Sequence, residues 1–183
     1  MVMQQRIDDI ISAYDQQGIH RTGTDVDTAS GEWLCQEIER MGLVPIRDAF
    51  DFDRLDVGEA YVTRLSDNTR IEGVPGFDGA FTDGEGVTGK GGVLGDDDAE
   101  VLFGLVAPNG ASEASRHMLQ ARRSGKPKAL VAITDTSAVL PGLALCNAPD
   151  YQNPWGPPAL QVSSEHAPML LSAAASGQPF QVL

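Results

Sequence analysis

Lys128-Ala129-Leu130-Val131-Ala132-Ile133 is an apolar, β-branched run that follows a helical pattern, and Pro158-Ala159-Leu160-Gln161-Val162-Ser163-Ser164 is a second run that precedes one. Around them strands and helices alternate. A strand at residues 101–106 leads to a helix from Ser112 to Ser124 stopped by Gly125. The strand at 129–133 and another at 159–162 lead to a helix from Ser164 to Ser176 stopped by Gly177, and a last strand occupies 180–183. Strand, helix and strand in succession imply right-handed crossovers onto a partly parallel sheet. The last third of the chain therefore predicts a mixed α/β module.

Moving towards the N-terminus, residues 60–65 and 70–74 alternate as strands, divided by Asp67-Asn68 as a hairpin turn. Residues 43–52 carry the same kind of pattern and predict one more strand. Residues 76–98 are rich in Gly and Asp, with Val87 and Val93-Leu94 as their apolar islands. That composition predicts loops and a short edge strand, with Gly89, Gly91 and Gly92 in tight turns.

The first forty residues read as two helices. Ile7, Ile10, Ile11 and Tyr14 recur at three- and four-residue spacing up to Gly18. Thr24 with Asp27 then resembles a capping box, and Ala29, Trp33, Leu34, Ile38 and Met41 line one face. Gly42 closes this helix, with Leu43 placed for the apolar contact of a Schellman motif. Burying Trp33, Leu34, Ile38 and Met41 would contribute at most roughly 6–12 kcal/mol. A helix pair has no surface to bury them against, so the module behind it or a further domain must supply one.

The whole chain has 183 residues, 42% hydrophobic and 21% charged, a globular composition with room for one ordinary domain and an extension. Its formal charge of −13 opposes nucleic-acid phosphates and anionic lipid. The one basic patch, Arg122, Arg123, Lys126 and Lys128, reads as cations complementing a helix C-terminus. No run approaches the roughly eighteen apolar residues of a membrane helix. The opening Met1-Val2-Met3-Gln4-Gln5-Arg6-Ile7-Asp8-Asp9 is polar where a signal peptide is apolar, so export is not encoded in this stretch, and a secreted and a cytoplasmic parent both stay open. Cys35 and Cys146 stand far apart without C-x-x-C spacing and read as small buried thiols, with a single bridge between them as the alternative.

Two stretches carry a family resemblance. His20-Arg21-Thr22-Gly23-Thr24, the helix with Glu32-Trp33-Leu34, Met41-Gly42-Leu43 and Phe50-Asp51-Phe52 resemble the start of zinc exopeptidases of the bacterial aminopeptidase and glutamate carboxypeptidase family. Residues 128–133 and 158–164 resemble the protease-associated domain commonly inserted ahead of the metal site in such enzymes. The resemblance implies an α+β fold in two parts. Residues 1–52 would be a helical leader belonging to the catalytic domain, and residues 53–183 a protease-associated module with a mixed sheet flanked by helices. It implies zinc in the full-length parent and none in this segment, with peptide substrate or the catalytic domain as partner. The family's His-x-Asp metal motif does not occur in the chain.

The residues taken by themselves point the same way about chemistry. A catalytic zinc needs about three protein ligands and an open position. His20, His117 and His166 have no partner ligand at recognised spacing and read as solvent-facing or capping residues. Asp96-Asp97-Asp98-Ala99-Glu100 lacks EF-hand spacing and reads as a solvated turn before a strand. No G-x-S-x-G elbow occurs, Cys146 has no helix N-terminus behind it, and Gly89-Lys90-Gly91-Gly92 is not a P-loop. No catalytic or metal-ligating residue is assigned.

The segment Asp150-Tyr151-Gln152-Asn153-Pro154-Trp155-Gly156-Pro157-Pro158 sets two aromatics on a proline-stiffened loop. Trp155 either folds back over the small domain's core or forms a rim that touches peptide or the catalytic domain. Arg21, Tyr151, Asn153 and Trp155 are the candidate contact residues. The expected role is that of a non-catalytic N-terminal and protease-associated segment of a zinc metallopeptidase. The rival readings are a free-standing peptide- or protein-binding module and a complete small enzyme. The ending Gln178-Pro179-Phe180-Gln181-Val182-Leu183 alternates as a strand without a polar tail, which suggests either an artificial cut or a continuing chain.

Overall fold

The structure is a computed structural model that describes residues 3–107, 110–135, 142–143 and 150–183. It has an α+β mixed fold and divides into two compact units, Met1–Leu55 and Asp56–Leu183. The division falls three residues beyond residue 52, the boundary that the family resemblance implies.

The first unit holds α1 (Met3–Asp15) and α2 (Asp25–Arg40). The Thr24 side chain accepts a hydrogen bond from the Asp27 amide at 3.2 Å. The Asp27 carboxylate reaches back to the amide of Gly23, one residue before the cap, at 2.9 Å. At the other end the amides of Gly42 and Leu43 donate to the carbonyls of Glu39 and Ile38, the paired bonds of a Schellman motif. Residues 43–52 form no strand, contrary to the alternation in their sequence. A strand needs a neighbour to pair with, and no described segment of this unit supplies one.

The second unit is a closed seven-stranded barrel in the order β1-β2-β6-β5-β4-β3-β7. The strands are β1 (Tyr61–Arg64), β2 (Thr69–Pro75), β3 (Val87–Val93), β4 (Val101–Val106), β5 (Ala129–Thr134), β6 (Ala159–Val162) and β7 (Pro179–Val182). β3, β4, β5 and β6 run parallel, and the remaining pairings are antiparallel. The parallel crossover from β4 to β5 contains α3 (Glu113–Ser124); after a 3₁₀ turn at Ser164–His166, α4 (Ala167–Ala175) leads from β6 to β7, which is antiparallel to both its neighbours and so corrects the expectation of a second parallel crossover.

Alternation along each strand sorts the side chains between two cores. Val62, Ile71, Val101, Phe103, Val131, Ile133, Leu160, Val162, Phe180 and Val182 fill the interior, joined by Leu170, Ala173 and Ala174 of α4. Leu102 and Leu130 point outward and pack with Met118 of α3. Phe103 and Phe180 meet inside with ring centroids 4.5 Å apart.

β3 corrects the expectation of a short edge strand with turn glycines. It is seven residues long and is paired on both sides, with β4 and β7. A Cβ on Gly91 would stand 2.6 Å from the Phe180 ring. The glycine is therefore a packing requirement of the interior, which the missing side chain hides from any periodicity. The hairpin at Asp67-Asn68 forms as its sequence predicts, with Asn68 at φ 56°.

Candidate interaction surfaces

In the barrel the aromatic loop is fixed by Arg122, which projects from the last turn of α3. Its guanidinium lies 3.9 Å from the centroid of the Trp155 ring. It also donates to the carbonyls of Asp78 at 2.6 Å and Trp155 at 3.0 Å, and it pairs with the Asp78 carboxylate at 3.0 Å. The Trp155 amide donates to the same Asp78 carbonyl at 2.9 Å. One planar cation thus ties three segments together through its fork of donors and its stacking face.

Gly156 follows at φ 71°, and a Cβ there would stand 2.8 Å from Arg122 Cγ. A larger residue would be excluded by backbone conformation and by space. Trp155 and Tyr151 are half-buried, while Gln152, Asn153 and Pro154 are exposed. The Asn153 amide donates to the Asp150 carbonyl at 2.8 Å, closing the turn that presents them.

Arg21 belongs to the N-terminal unit and the three loop residues to the barrel. Arg21 is half-buried, and its guanidinium donates to the carbonyl of Leu55. Its own carbonyl accepts from the Thr24 hydroxyl at 2.7 Å, so the residue helps build the turn that starts α2.

The N-terminal unit leaves much of its apolar surface open. Among its described residues Ser30 alone is buried. Leu34 and Met41 of the predicted stripe are exposed, and Leu43, Val44, Ile46 and Phe50 continue the apolar surface beyond the helix at 60–94% exposure. Ile10, Ile11, Tyr14, Trp33 and Leu34 line a groove of about 420 Å³ between the helices. Single exposed hydrophobes are ordinary, but so many within residues 34–50 on a short unit are the kind of surface that associates with another.

The His20 ring stacks on Tyr14 at 3.7 Å between centroids. Its Nε2 hydrogen-bonds the Tyr14 carbonyl at 2.9 Å, and its Nδ1 hydrogen-bonds Ser30 Oγ at 2.7 Å, so both nitrogens are engaged. His117 faces solvent near Glu113 on α3, and the His166 backbone joins the 3₁₀ turn to α4. Among the described residues, no three His, Cys, Asp or Glu side chains group as metal ligands. Cys35 is half-buried, not buried as expected, and Arg47 Nε donates to its sulfur at 3.3 Å. Cys146 lies outside the described residues.

Three of the four cations of the basic patch face acidic partners. Besides Arg122, Lys126 faces Asp97 at 3.5 Å and Lys128 pairs with Glu100 at 2.6 Å. Glu100 also accepts from the Lys90 amide, linking β3 to the entry of β5. The Lys128 ammonium and that amide hold the Glu100 carboxyl below its ordinary range. In the β1–β2 turn, hydrogen bonds from Arg64 and then Thr69 depress the Asp67 carboxyl strongly.

Sequence reasoning missed Arg122 and Asp78 as the supports of the aromatic loop. Trp155 with the prolines marked the loop, but no local pattern reveals a cation that arrives from another element. No family model, curated protein or solved structure matches this chain. Among the described residues no helix is long and apolar enough to cross a membrane.

Proposed function

We propose that this chain is a non-catalytic front segment of a zinc-dependent exopeptidase. In this reading the N-terminal unit completes the fold of a catalytic domain, and the barrel is a protease-associated module that shapes substrate access or mediates contacts. The observation that carries it is the exposure of Leu34 and Met41 on and at the end of the well-capped α2, and of Leu43, Val44, Ile46 and Phe50 in the segment that follows it. Such a surface on an ordered element fits a partner that buries it.

In this reading zinc belongs to the catalytic domain of the parent and not to this segment. Peptide substrate or the catalytic domain is the partner, and the acidic charge disfavours nucleic acid. The clamped loop favours a second reading, a free-standing peptide-binding module, because Arg122 holds Asn153 and Pro154 out on a rigid turn. A rigid turn loses little conformational entropy on binding.

Elemental analysis after dialysis and an aminoacyl-anilide assay test the main reading. The chain alone is expected to retain no stoichiometric zinc and to show no hydrolysis with or without added zinc. One tightly held zinc per chain, with activity lost to chelator, would sink it.

A further inference from the structure

The outer face of the barrel carries a pocket of about 330 Å³ between α3 and the β3–β4 loop. Its lining is apolar where Leu94, Ala99, Leu102, Ala121 and Pro127 meet. The hollow exists because two of these are alanines and because Leu94 is drawn down over Gly104, where a Cβ would stand 2.5 Å from its methyl. Ala99, Leu102 and Pro127 are buried, so the pocket is rooted in the packed outer core and is not a gap between mobile side chains.

The polar groups of the pocket are of both signs. Asp96 and Asp97 come from the β3–β4 loop, and Lys126 follows the end of α3. Asp97 and Lys126 face each other at 3.5 Å with both side chains mostly exposed. An exposed pair at this distance contributes little and is readily exchanged for other partners.

From this arrangement we infer that the pocket binds a free amino acid with an aliphatic side chain. The volume is at the low end of small-molecule sites, which run from about 300 to 1,000 Å³. The aliphatic group takes the apolar lining. The ammonium goes to Asp97, with Asp96 beside it, and the carboxylate goes to Lys126. A zwitterion replaces one loose ion pair by two, whereas a simple amine or a simple acid breaks the pair and leaves one charge without its partner. Anions are further opposed by the net charge of the chain. The inference concerns a face of the barrel distinct from the aromatic loop and does not depend on the peptidase reading.

The test is an amide-resolved NMR titration of the full chain with L-leucine, leucinamide and 4-methylpentanoate. Leucine is expected to give saturable shifts at residues 94–102 and 117–127, with a dissociation constant on the order of millimolar for so small a ligand. Leucinamide and 4-methylpentanoate should each bind at least about tenfold more weakly, a loss of about 1.4 kcal/mol. Asp97→Asn and Lys126→Gln, both at exposed positions that leave the spectrum folded, should each weaken leucine by a similar factor. Ala121→Phe should abolish its binding by filling the pocket. Equal binding of all three ligands, shifts located elsewhere, or unchanged affinity in both charge variants would overturn the inference, as would the absence of saturable shifts.

Discussion

The barrel interior and the N-terminal unit use similar residues with opposite results. Phe103 and Phe180 are fully buried in the barrel, whereas Phe50 of the N-terminal unit is 75% exposed. Local order does not separate them, since α2 has a side-chain N-cap and a Schellman C-terminus as complete as any helix of the barrel. What differs is closure. Each barrel strand finds two neighbours, so its inward side chains meet others across the interior. The described residues of the N-terminal unit form helices and no sheet. Good capping fixes a helix, but only a facing surface removes its apolar stripe from water.

The strongest test of that contrast is Phe180→Ala. It should cost about 3–5 kcal/mol in a denaturant titration, because the ring fills the interior against Phe103 and the Cα of Gly91. A loss below about 0.5 kcal/mol would mean that β7 is frayed and the barrel is not closed in solution.

Arg122→Ala should cost about 1.5–3 kcal/mol, as expected when charged hydrogen bonds at a largely buried site are removed. The near-ultraviolet circular dichroism of Trp155 should collapse with it. An unchanged signal would show that the prolines alone hold the loop. Amide exchange should rank the two regions directly, with β5 protected close to global stability and α2 opening at lower free energy. Equal protection would show that α2 already has its full partner within this chain.

Asp67 and Glu100 make a smaller contribution that depends on pH. Their carboxyls are depressed in the folded state, so the stabilisation is fully present above the ordinary carboxylate value. It is lost as the pH falls from about 4 through the folded values. Combined Asp67→Asn and Glu100→Gln should flatten the acid limb of the stability profile, measured by denaturant midpoint against pH. A parallel, merely shifted profile would show that other carboxylates set the slope. The smallest effect is expected for Leu34→Ala, within about 0.5 kcal/mol, since its side chain already faces water. A loss comparable to that of Phe180→Ala would erase the difference between the two regions.

The local features of this chain were legible from its sequence because their causes lie within a few residues. Thr24 with Asp27, Gly42 with Leu43, and Asp67-Asn68 declare their helix ends and hairpin through short-range geometry. The apolar runs at residues 101–106 and 129–133 and the alternation at 180–182 likewise declare strands, and with the intervening helices they pointed to the α+β class and to the parallel crossover from β4 through α3 to β5. The crossover expected through α4 is not parallel, since β7 pairs antiparallel with both β1 and β3.

Other features depended on groups that meet only after the chain has folded. The glycines of β3 show their meaning when Phe180 arrives against Gly91, and Arg122 acquires its role when Asp78 and Trp155 come within reach. Residues 43–52 failed for the converse reason, since an alternating pattern without a partner strand has nothing to pair with. The sequence by itself determined the elements, their ends and the acidic character of the chain. Closure into a barrel, the anchoring of the aromatic loop and the openness of the α2 face were decided by tertiary structure alone, because burial and hydrogen bonding are properties of pairs and one member of each pair is remote in sequence.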